Sequence, residues 1–263
     1  MELNIRTWNM NYWKQRKGNS AKTTQERIKW REFAKKSILH NHHFDLFVLQ
    51  EASLNIFSGE KILLHGIDEN ENIITADYRY ARDLIIYHTN RMKYLSWGNM
   101  IIAKHHNYYV SNRYNNLLAY MCYDFTIKNK TVTIVNVHLQ KDFVTKLYYP
   151  SFKKLIDEIK ILKDEKDNQP MLLIGDFNAS DKFPSNELDD FKKTFGEIKR
   201  LGFSDCTEKI DINERSTMLD YEYQNDYIFI NEPYDKNLFK IDIRKDIESE
   251  YIDHYPIDFK IEL

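Results

Sequence analysis

Glycine and proline are scarce in this chain, at 7 and 5 of 263 residues. That leaves no material for Gly/Ser-rich or Pro-rich joints, and an array of modules on loose linkers is excluded. No internal repeat or low-complexity tract marks a boundary, so residues 1–263 are expected to form a single domain. Cysteine is almost missing. Cys122 and Cys206 stand alone, without CxxC spacing, which excludes a disulfide-stapled scaffold and a cysteine zinc site. A reduced, cytoplasmic setting is the expectation. No run of about 18 apolar residues occurs, so neither a membrane-spanning helix nor a membrane partner is expected. Met1-Glu2-Leu3-Asn4-Ile5-Arg6-Thr7-Trp8 lacks the basic-then-apolar order of a signal peptide and reads as a strand that starts at once. Bulk charge is missing too: a net charge of −2 excludes a polycation that coats nucleic acid by charge alone.

What the chain does hold is a core. Apolar residues make up 42% and aromatics 14%, which places it among folding sequences. Its positive charge is concentrated: residues 13–36 carry Lys14, Arg16, Lys17, Lys22, Arg27, Lys29, Arg31, Lys35 and Lys36 against Glu26 and Glu32. A local basic stretch on an otherwise acidic protein suits a polyanion, and it equally suits a solvated helix face with a polar loop. The spacing predicts three amphipathic helices. The first follows the capping box Thr23-Thr24-Gln25-Glu26, with Trp30, Phe33, Ala34 and Ile38 on one face. The second begins near Ser151 with Phe152, Leu155, Ile156, Ile159 and Leu162. The third carries Leu188, Phe191, Phe195, Ile198 and Leu201, and Gly202 is placed to cap it.

Short apolar runs lie between the helices: Leu3–Trp8, Leu46–Leu49, Leu84–Tyr87, Met100–Ala103, Leu118–Ile127, Val132–Val137, Met171–Ile174, Tyr227–Ile230 and Pro256–Ile261. Several have no polar alternation, as in strands covered on both faces. Many strands with a few interspersed helices predict a layered α/β sandwich. Polar residues cluster at the ends of these runs. Asn9, Gln50-Glu51, His138 and Asp176-Phe177-Asn178 close four of them, whereas Asp226 and Asp253-His254 precede two later ones. For all six clusters to meet at one rim, the last two strands must run opposite to the first four. Taken singly, each cluster has an ordinary structural reading: a turn cap for Glu51, an Asx turn for Asp176 and Asn178, a strand-edge acid for Asp226. The ordered set of six is what those readings do not explain.

The series Trp8-Asn9, Gln50-Glu51, Asn136-Val137-His138-Leu139, Gly175-Asp176-Phe177-Asn178, Asn225-Asp226-Tyr227-Ile228-Phe229 and Asp253-His254-Tyr255-Pro256-Ile257 resembles the motif set of the endonuclease/exonuclease/phosphatase superfamily, the deoxyribonuclease I-like enzymes. Trp97-Gly98-Asn99-Met100 resembles its glycine-led middle strand, and Leu201-Gly202-Phe203-Ser204-Asp205 the segment after its late helix. Ile252 stands where the family usually has Ser, and the polar loop at residues 10–22 is longer than in compact members. The resemblance implies a four-layer α/β sandwich, with two mixed, mostly antiparallel sheets packed face to face and helices outside.

The resemblance also implies a divalent-metal-dependent phosphodiester hydrolase. Glu51 would be the principal Mg²⁺ or Mn²⁺ ligand, Asn9 would lie close to metal and phosphate, and Asp253 would complete the site directly or through water. His254 would act as general base or stabilise the attacked phosphoryl oxygens, with Asp226 orienting its ring. Asp176 would position or deprotonate the attacking water, Asn178 would bind a phosphate oxygen, and His138 would contact the phosphate or protonate the departing oxygen. The expected substrate is DNA, cleaved with little sequence specificity and held by phosphate contacts from a segment near Lys14, Arg16, Lys17, Arg27 and Arg31. A phospholipid, inositol phosphate or nucleotide second messenger is the alternative substrate on the same chemistry. A lipid enzyme calls for a concentrated apolar docking segment, which the chain lacks. A non-catalytic module would lack a metal acid or the Asp-His pair, and this chain retains both.

Overall fold

The computed structural model describes residues 2–11, 21–39, 43–52, 63–67, 73–76, 85–88, 98–103, 109–116, 120–127, 129–139, 149–166, 169–182, 185–247 and 249–263. In chain order these form β1 (Glu2–Asn9), α1 (Thr24–Leu39), β2 (Leu46–Ala52), β3 (Leu63–Ile67), β4 (Ile73–Ala76), β5 (Ile85–His88), β6 (Gly98–Ala103), β7 (Tyr109–Asn116), β8 (Tyr120–Ile127), β9 (Lys130–His138), α2 (Tyr149–Glu165), β10 (Met171–Asp176), α3 (Ser185–Arg200), β11 (Phe203–Asp205), β12 (Asp226–Asn231), β13 (Leu238–Ile243) and β14 (Ile257–Glu262). One sheet has the order β13-β14-β1-β2-β6-β5-β3-β4, and the other β11-β12-β10-β9-β8-β7. The parallel pairs β1–β2 and β9–β10 are each joined through a helix, the usual form of a parallel crossover. β14 runs antiparallel to β1, and β12 antiparallel to β10. That reversal is what the strand-end clusters demanded.

The layers follow from alternation along each strand. Leu3, Ile5, Leu46 and Val48 of the first sheet face Val132, Ile134, Leu172, Ile174, Ile228 and Ile230 of the second, and together they form the core between the sheets. The opposite faces are covered by helices. Trp30, Ala34 and Ile38 of α1 pack on Trp8, Phe47 and Leu49. Phe152, Leu155 and Ile159 of α2, with Phe195 and Ile198 of α3, pack on Val135, Val137, Leu173 and Phe229. The architecture is therefore the expected four-layer α/β sandwich. The capping box forms as the sequence implied: Thr23 N–H donates to Glu26 Oε2 at 2.7 Å, and Glu26 N–H donates to Thr23 Oγ1 at 3.3 Å. Gly202, at φ +76°, ends α3 with its N–H on Lys199 O at 2.9 Å. Both cysteines are buried and free.

A polar seam crosses the apolar space near one rim. Gln50 Nε2 of β2 donates to Asn136 Oδ1 of β9 at 2.8 Å, and Asn136 Nδ2 donates back to Leu49 O at 2.9 Å. Both side chains are fully buried. Their amides need room at Gly175, whose φ of +133° is open only to glycine, and where an added Cβ would sit 2.2 Å from Val137 O and 2.7 Å from Gln50 Nε2. Gly175→Ala is accordingly expected to destabilise the fold by at least about 3 kcal/mol, the strain and the backbone clash adding. Urea unfolding measures this, and a loss below about 1 kcal/mol would show that the seam tolerates a side chain.

Candidate active site

The alternation that builds the core also builds the site. The inward stripe of β1 runs Leu3, Ile5, Thr7, Asn9; that of β9 runs Val132, Ile134, Asn136, His138; and that of β10 runs Leu172, Ile174, Asp176. Asp226 opens β12 opposite Asp176, and these two residues are register partners. Each stripe ends in a polar group at the same rim. Glu51 belongs to the outward set by simple counting, but its backbone takes φ +47° within a register shift between Leu49 and Ala52. Such a bulge re-aims a side chain. Glu51 Oε1 thereby comes to 3.5 Å from Asn9 Nδ2 and 3.4 Å from His138 Nε2.

Asp176 is the hub. Its Oδ2 accepts from Asn9 Nδ2 at 2.8 Å and from Asn178 Nδ2 at 3.2 Å, and its Oδ1 accepts from Asn178 N–H at 2.7 Å. His138 Nε2 lies 3.8 Å from Oδ2, and His254 Nε2 lies 4.0 Å away. Asn178, at φ +47°, also donates to Leu139 O at 2.8 Å, tying the loop after β10 to the end of β9. The amide oxygen of Asn9 is turned to Asn11 N–H at 3.0 Å, so Asn9 faces Glu51 and Asp176 with its donor side.

His254 sits on a rigid backbone. Trp8 Nε1 donates to its carbonyl at 2.9 Å, and the residue bridges Met218 as a short antiparallel pair. Its Nδ1 is 2.7 Å from Asp226 Oδ2, while its Nε2 faces Asp253 Oδ1 at 3.9 Å. Thr217 holds this corner: its Oγ1 accepts from Asn225 and Asp226 N–H at 3.0 and 3.2 Å, and its carbonyl accepts from Tyr255 N–H at 2.7 Å. Nothing in the sequence singled out Thr217, because a threonine in an irregular loop carries no periodic signal.

Burial sets the electrostatics. It pushes the Asp176 carboxyl up to about 6, with His254 and His138 pulling down and Asp226 adding to the rise. Asp253 is raised too, by burial first and then by Glu51, against His254 and Lys22. Burial opposes charge on His254, yet Asp226, Asp253 and Asp176 outweigh it and hold the imidazole well above its ordinary value. The ring therefore stays cationic at neutral pH.

Glu51 and Asp253 supply hard oxygen donors whose like charges reinforce one another, and a divalent cation relieves that repulsion. Among the described residues no three His, Cys, Asp or Glu side chains close into a metal cage. Two carboxylates, with water and substrate phosphate completing the shell, are what Mg²⁺ accepts. The donor set fits the ion.

All eight sequence-derived residues, Asn9, Glu51, His138, Asp176, Asn178, Asp226, Asp253 and His254, thus fall into one connected cluster. The basic stretch fares differently. Lys14, Arg16 and Lys17 lie outside the described residues. Arg27, Arg31 and Lys35 are half-buried on α1, and Lys29 and Lys36 are exposed. Lys22, counted among the surface cations by charge pattern alone, is only 3% exposed, since its side chain folds inward to Asn11 O. A separate hollow lined by Asn4, Phe44, Lys240, Asp242 and Arg244 lies on the outer sheet face and includes none of the eight residues.

Residues 7–234 match the model of the Endonuclease/Exonuclease/phosphatase family, and the chain belongs to that family. Its fold is similar to the AP endonuclease LMAP of Leishmania major, with TM-score 0.68, 11% identity, and coverage of 100% of this chain and 88% of that one. It is also similar to the endonuclease domain of TRAS1, a telomere-specific non-LTR retrotransposon, with TM-score 0.64, 13% identity and 99% of each chain covered. A third likeness is the truncated TDP2 of Caenorhabditis elegans, with TM-score 0.64, 16% identity, and coverage of 100% and 98%. No curated protein sequence matches the chain. Among the described residues no helix is long and apolar enough to cross a membrane.

The raised Asp176 carboxyl has a cost that can be measured. The folded chain binds this proton more tightly than the unfolded chain does, so the penalty is present above about pH 6 and fades below it. In EDTA at pH 8, Asp176→Asn is expected to unfold later in urea than wild type, by roughly 1–3 kcal/mol, with the gain shrinking as pH falls through about 6. A variant less stable than wild type at pH 8 would show that the ionised carboxylate holds the site together.

Proposed function

We propose that this chain is a divalent-metal-dependent phosphodiester hydrolase, a nuclease acting on DNA with little sequence specificity. The observation that carries the reading is the joining, at one buried rim, of two acidic oxygen donors, a cationic histidine on Asp226 and a separate carboxylate raised by burial. Two groups whose surroundings set opposite protonation states are what acid–base chemistry on a phosphate needs. Glu51 and Asp253 would hold Mg²⁺ or Mn²⁺, which when bound would neutralise charge on the phosphate and on the departing oxygen.

The protein's own groups divide the remaining work. Asp176, ionised near neutral pH and fixed by Asn9 and Asn178, accepts the proton of the attacking water. His254, whose charged form Asp226, Asp253 and Asp176 favour, would donate to a phosphoryl oxygen. Asp226 engages Nδ1 and leaves Nε2 on the side of Asp176 and Asp253, where the reacting phosphate would lie. His138, beside Glu51 and Asp176 on the β9 side, is placed to meet the departing oxygen. Asn178, on the loop after β10, would bind a phosphate oxygen. DNA as substrate is supported by the likeness to the AP endonuclease and to the 3′ phosphatase NExo of Neisseria, whose structure holds product DNA hairpin. The exposed Lys29 and Lys36, with Arg27 and Arg31, add cationic surface on α1 for backbone contacts. Residues 1–263 would form a single catalytic domain, of which residues 7–234 match the family.

Supercoiled plasmid and duplex oligonucleotides with Mg²⁺ or Mn²⁺ provide the test. Cleavage is expected to stop in EDTA and to fall at least about 10²-fold in Glu51→Gln and in His254→Ala. On the acid side, log rate is expected to drop by about one per pH unit below about 6, as Asp176 takes up its proton. A folded, metal-loaded wild type that leaves every nucleic acid intact would overturn the nuclease reading.

A further inference from the structure

A strand at the edge of a sheet shows a row of unpaired backbone groups to solvent, and proteins ordinarily blunt such edges with like charge or bulges. β13 closes one end of the eight-stranded sheet, and among the described residues no strand lies beyond it. Arg244 N–H donates to Pro256 O at 2.9 Å. The alternation of an antiparallel pair then turns the backbone groups of Asp242 and Lys240 toward β14, and those of Ile241 and Ile243 outward. Both ends of the outward row are already engaged. Lys209 Nζ donates to Leu238 O at 2.7 Å, and Lys245 N–H donates to Ile243 O at 2.9 Å. The N–H and C=O of Ile241 are left facing out at the middle. The side chains that flank Ile241 are poorly matched within the chain. Lys240 is the register partner of Lys260, and Asp242 of Asp258, so like charges stand opposite each other twice on the outer face. The β14 member of each pair is neutralised from β1: Lys260 Nζ reaches Glu2 Oε1 at 2.5 Å, and Asp258 accepts from Arg6 at 2.6 and 2.7 Å. The β13 members are exposed. Among the described residues Lys240 has no ion-pair partner, and Asp242 has only Arg244 Nε at 3.9 Å.

We propose that β13 is the interface of a two-fold homodimer, in which it pairs antiparallel with β13 of a second copy about Ile241 and joins the two sheets into one. A two-fold interface must be complementary to itself, and this strand is. The axis sets Lys240 opposite Asp242 of the second copy, and Asp242 opposite its Lys240. Across the junction the row reads Lys260, Lys240, then Asp242 and Asp258 of the second copy, so each unmatched charge gains an opposite neighbour. A guard against edge pairing would set equal signs face to face in this register. Lys240 and Asp242, one residue either side of Ile241, do the reverse. Phe239, 55% exposed at the register shift between Leu238 and Lys240, comes beside Ile243 of the second copy and adds apolar area. Contacts confined to residues 239–243 make a small interface, which suits a dimer in exchange with its monomer. The catalytic rim lies beyond the Ile243 end of β13, where Arg244 meets Pro256. Antiparallel pairing therefore places the two rims at opposite ends of the joined sheet.

Charge exchange across the axis provides the test. Sedimentation velocity is run on the full chain over a concentration series at low salt, with Lys240→Asp and Asp242→Lys prepared as separate proteins. Wild type is expected to pass from monomer to dimer in the micromolar range, and the dimer to weaken as salt is raised. Each single variant is expected to self-associate at least about tenfold more weakly, because equal charges then face each other across the axis. Mixed in equal amounts, the two variants are expected to form a heterodimer, since the acids of one copy meet the lysines of the other. Neither a folding defect nor an interface elsewhere would give that recovery. A wild type that stays monomeric throughout, single variants that dimerise as tightly as wild type, or variants that remain monomeric when mixed would each overturn the proposal.

Discussion

The amide of Gln50 meeting the amide of Asn136 is the contact on which the geometry of this protein depends. The core between the sheets is packed mostly by Leu, Ile, Val and Phe, whose attraction is strong but without direction. Sheets held only in that way can settle at several offsets. A hydrogen bond from β2 to β9, returned by Asn136 to Leu49, admits one. Its net contribution is about 1 kcal/mol, but leaving either buried amide unpaired would cost more, which makes it a device of register more than of stability. One residue beyond Gln50 lies Glu51, and two beyond Asn136 lies His138. The offset that makes these hydrogen bonds is therefore the offset that brings the two halves of the site together.

Around that seam the molecule carries a standing conflict. Buried carboxylates beside one another raise the energy of the folded state, and Asp176, Asp226, Asp253 and Glu51 share one small volume. The histidines, Lys22 and the amides of Asn9 and Asn178 offset part of this. What remains is an excess of negative charge at the rim, and the same imbalance that weakens the fold suits the divalent ion proposed for it. Stability and chemistry are set here by one arrangement of charges.

Much of this was legible in the sequence because strand alternation is a strong signal and the site lies at its end. Apolar stripes closing in Asn9, His138 and Asp176 announced both the core and the rim, and the order of the clusters required β12 and β14 to reverse. The DHYP and GDFN elements then carried the family. Other features were hidden for identifiable reasons. β3, β4 and β7 are short or rich in polar residues, and β13 alternates Lys and Asp with its apolar positions on an open sheet face, so none stands out as an apolar run. The bulge that turns Glu51 inward depends on a backbone angle that no residue type announces. The burial of Lys22 left no trace in the charge pattern, since it is decided by the carbonyl of Asn11 and not by its neighbours in sequence.

The pairing of β14 with β1 has a consequence in time. Glu2 lies opposite Glu262 and Thr7 opposite Ile257, and the approach to β14 delivers Asp253 and His254. During synthesis, a ribosome-bound chain can display β1, β2, β9 and β10 with Asn9, Glu51, His138 and Asp176 all made, yet still lack its cationic histidine and one of its two acidic oxygen donors. The later strand closes against the earlier one, and that closure brings Asp253 and His254 to the rim where the other six site residues lie. A chain interrupted before residue 253 would carry six of the eight site residues but neither the histidine paired with Asp226 nor the acid beside it.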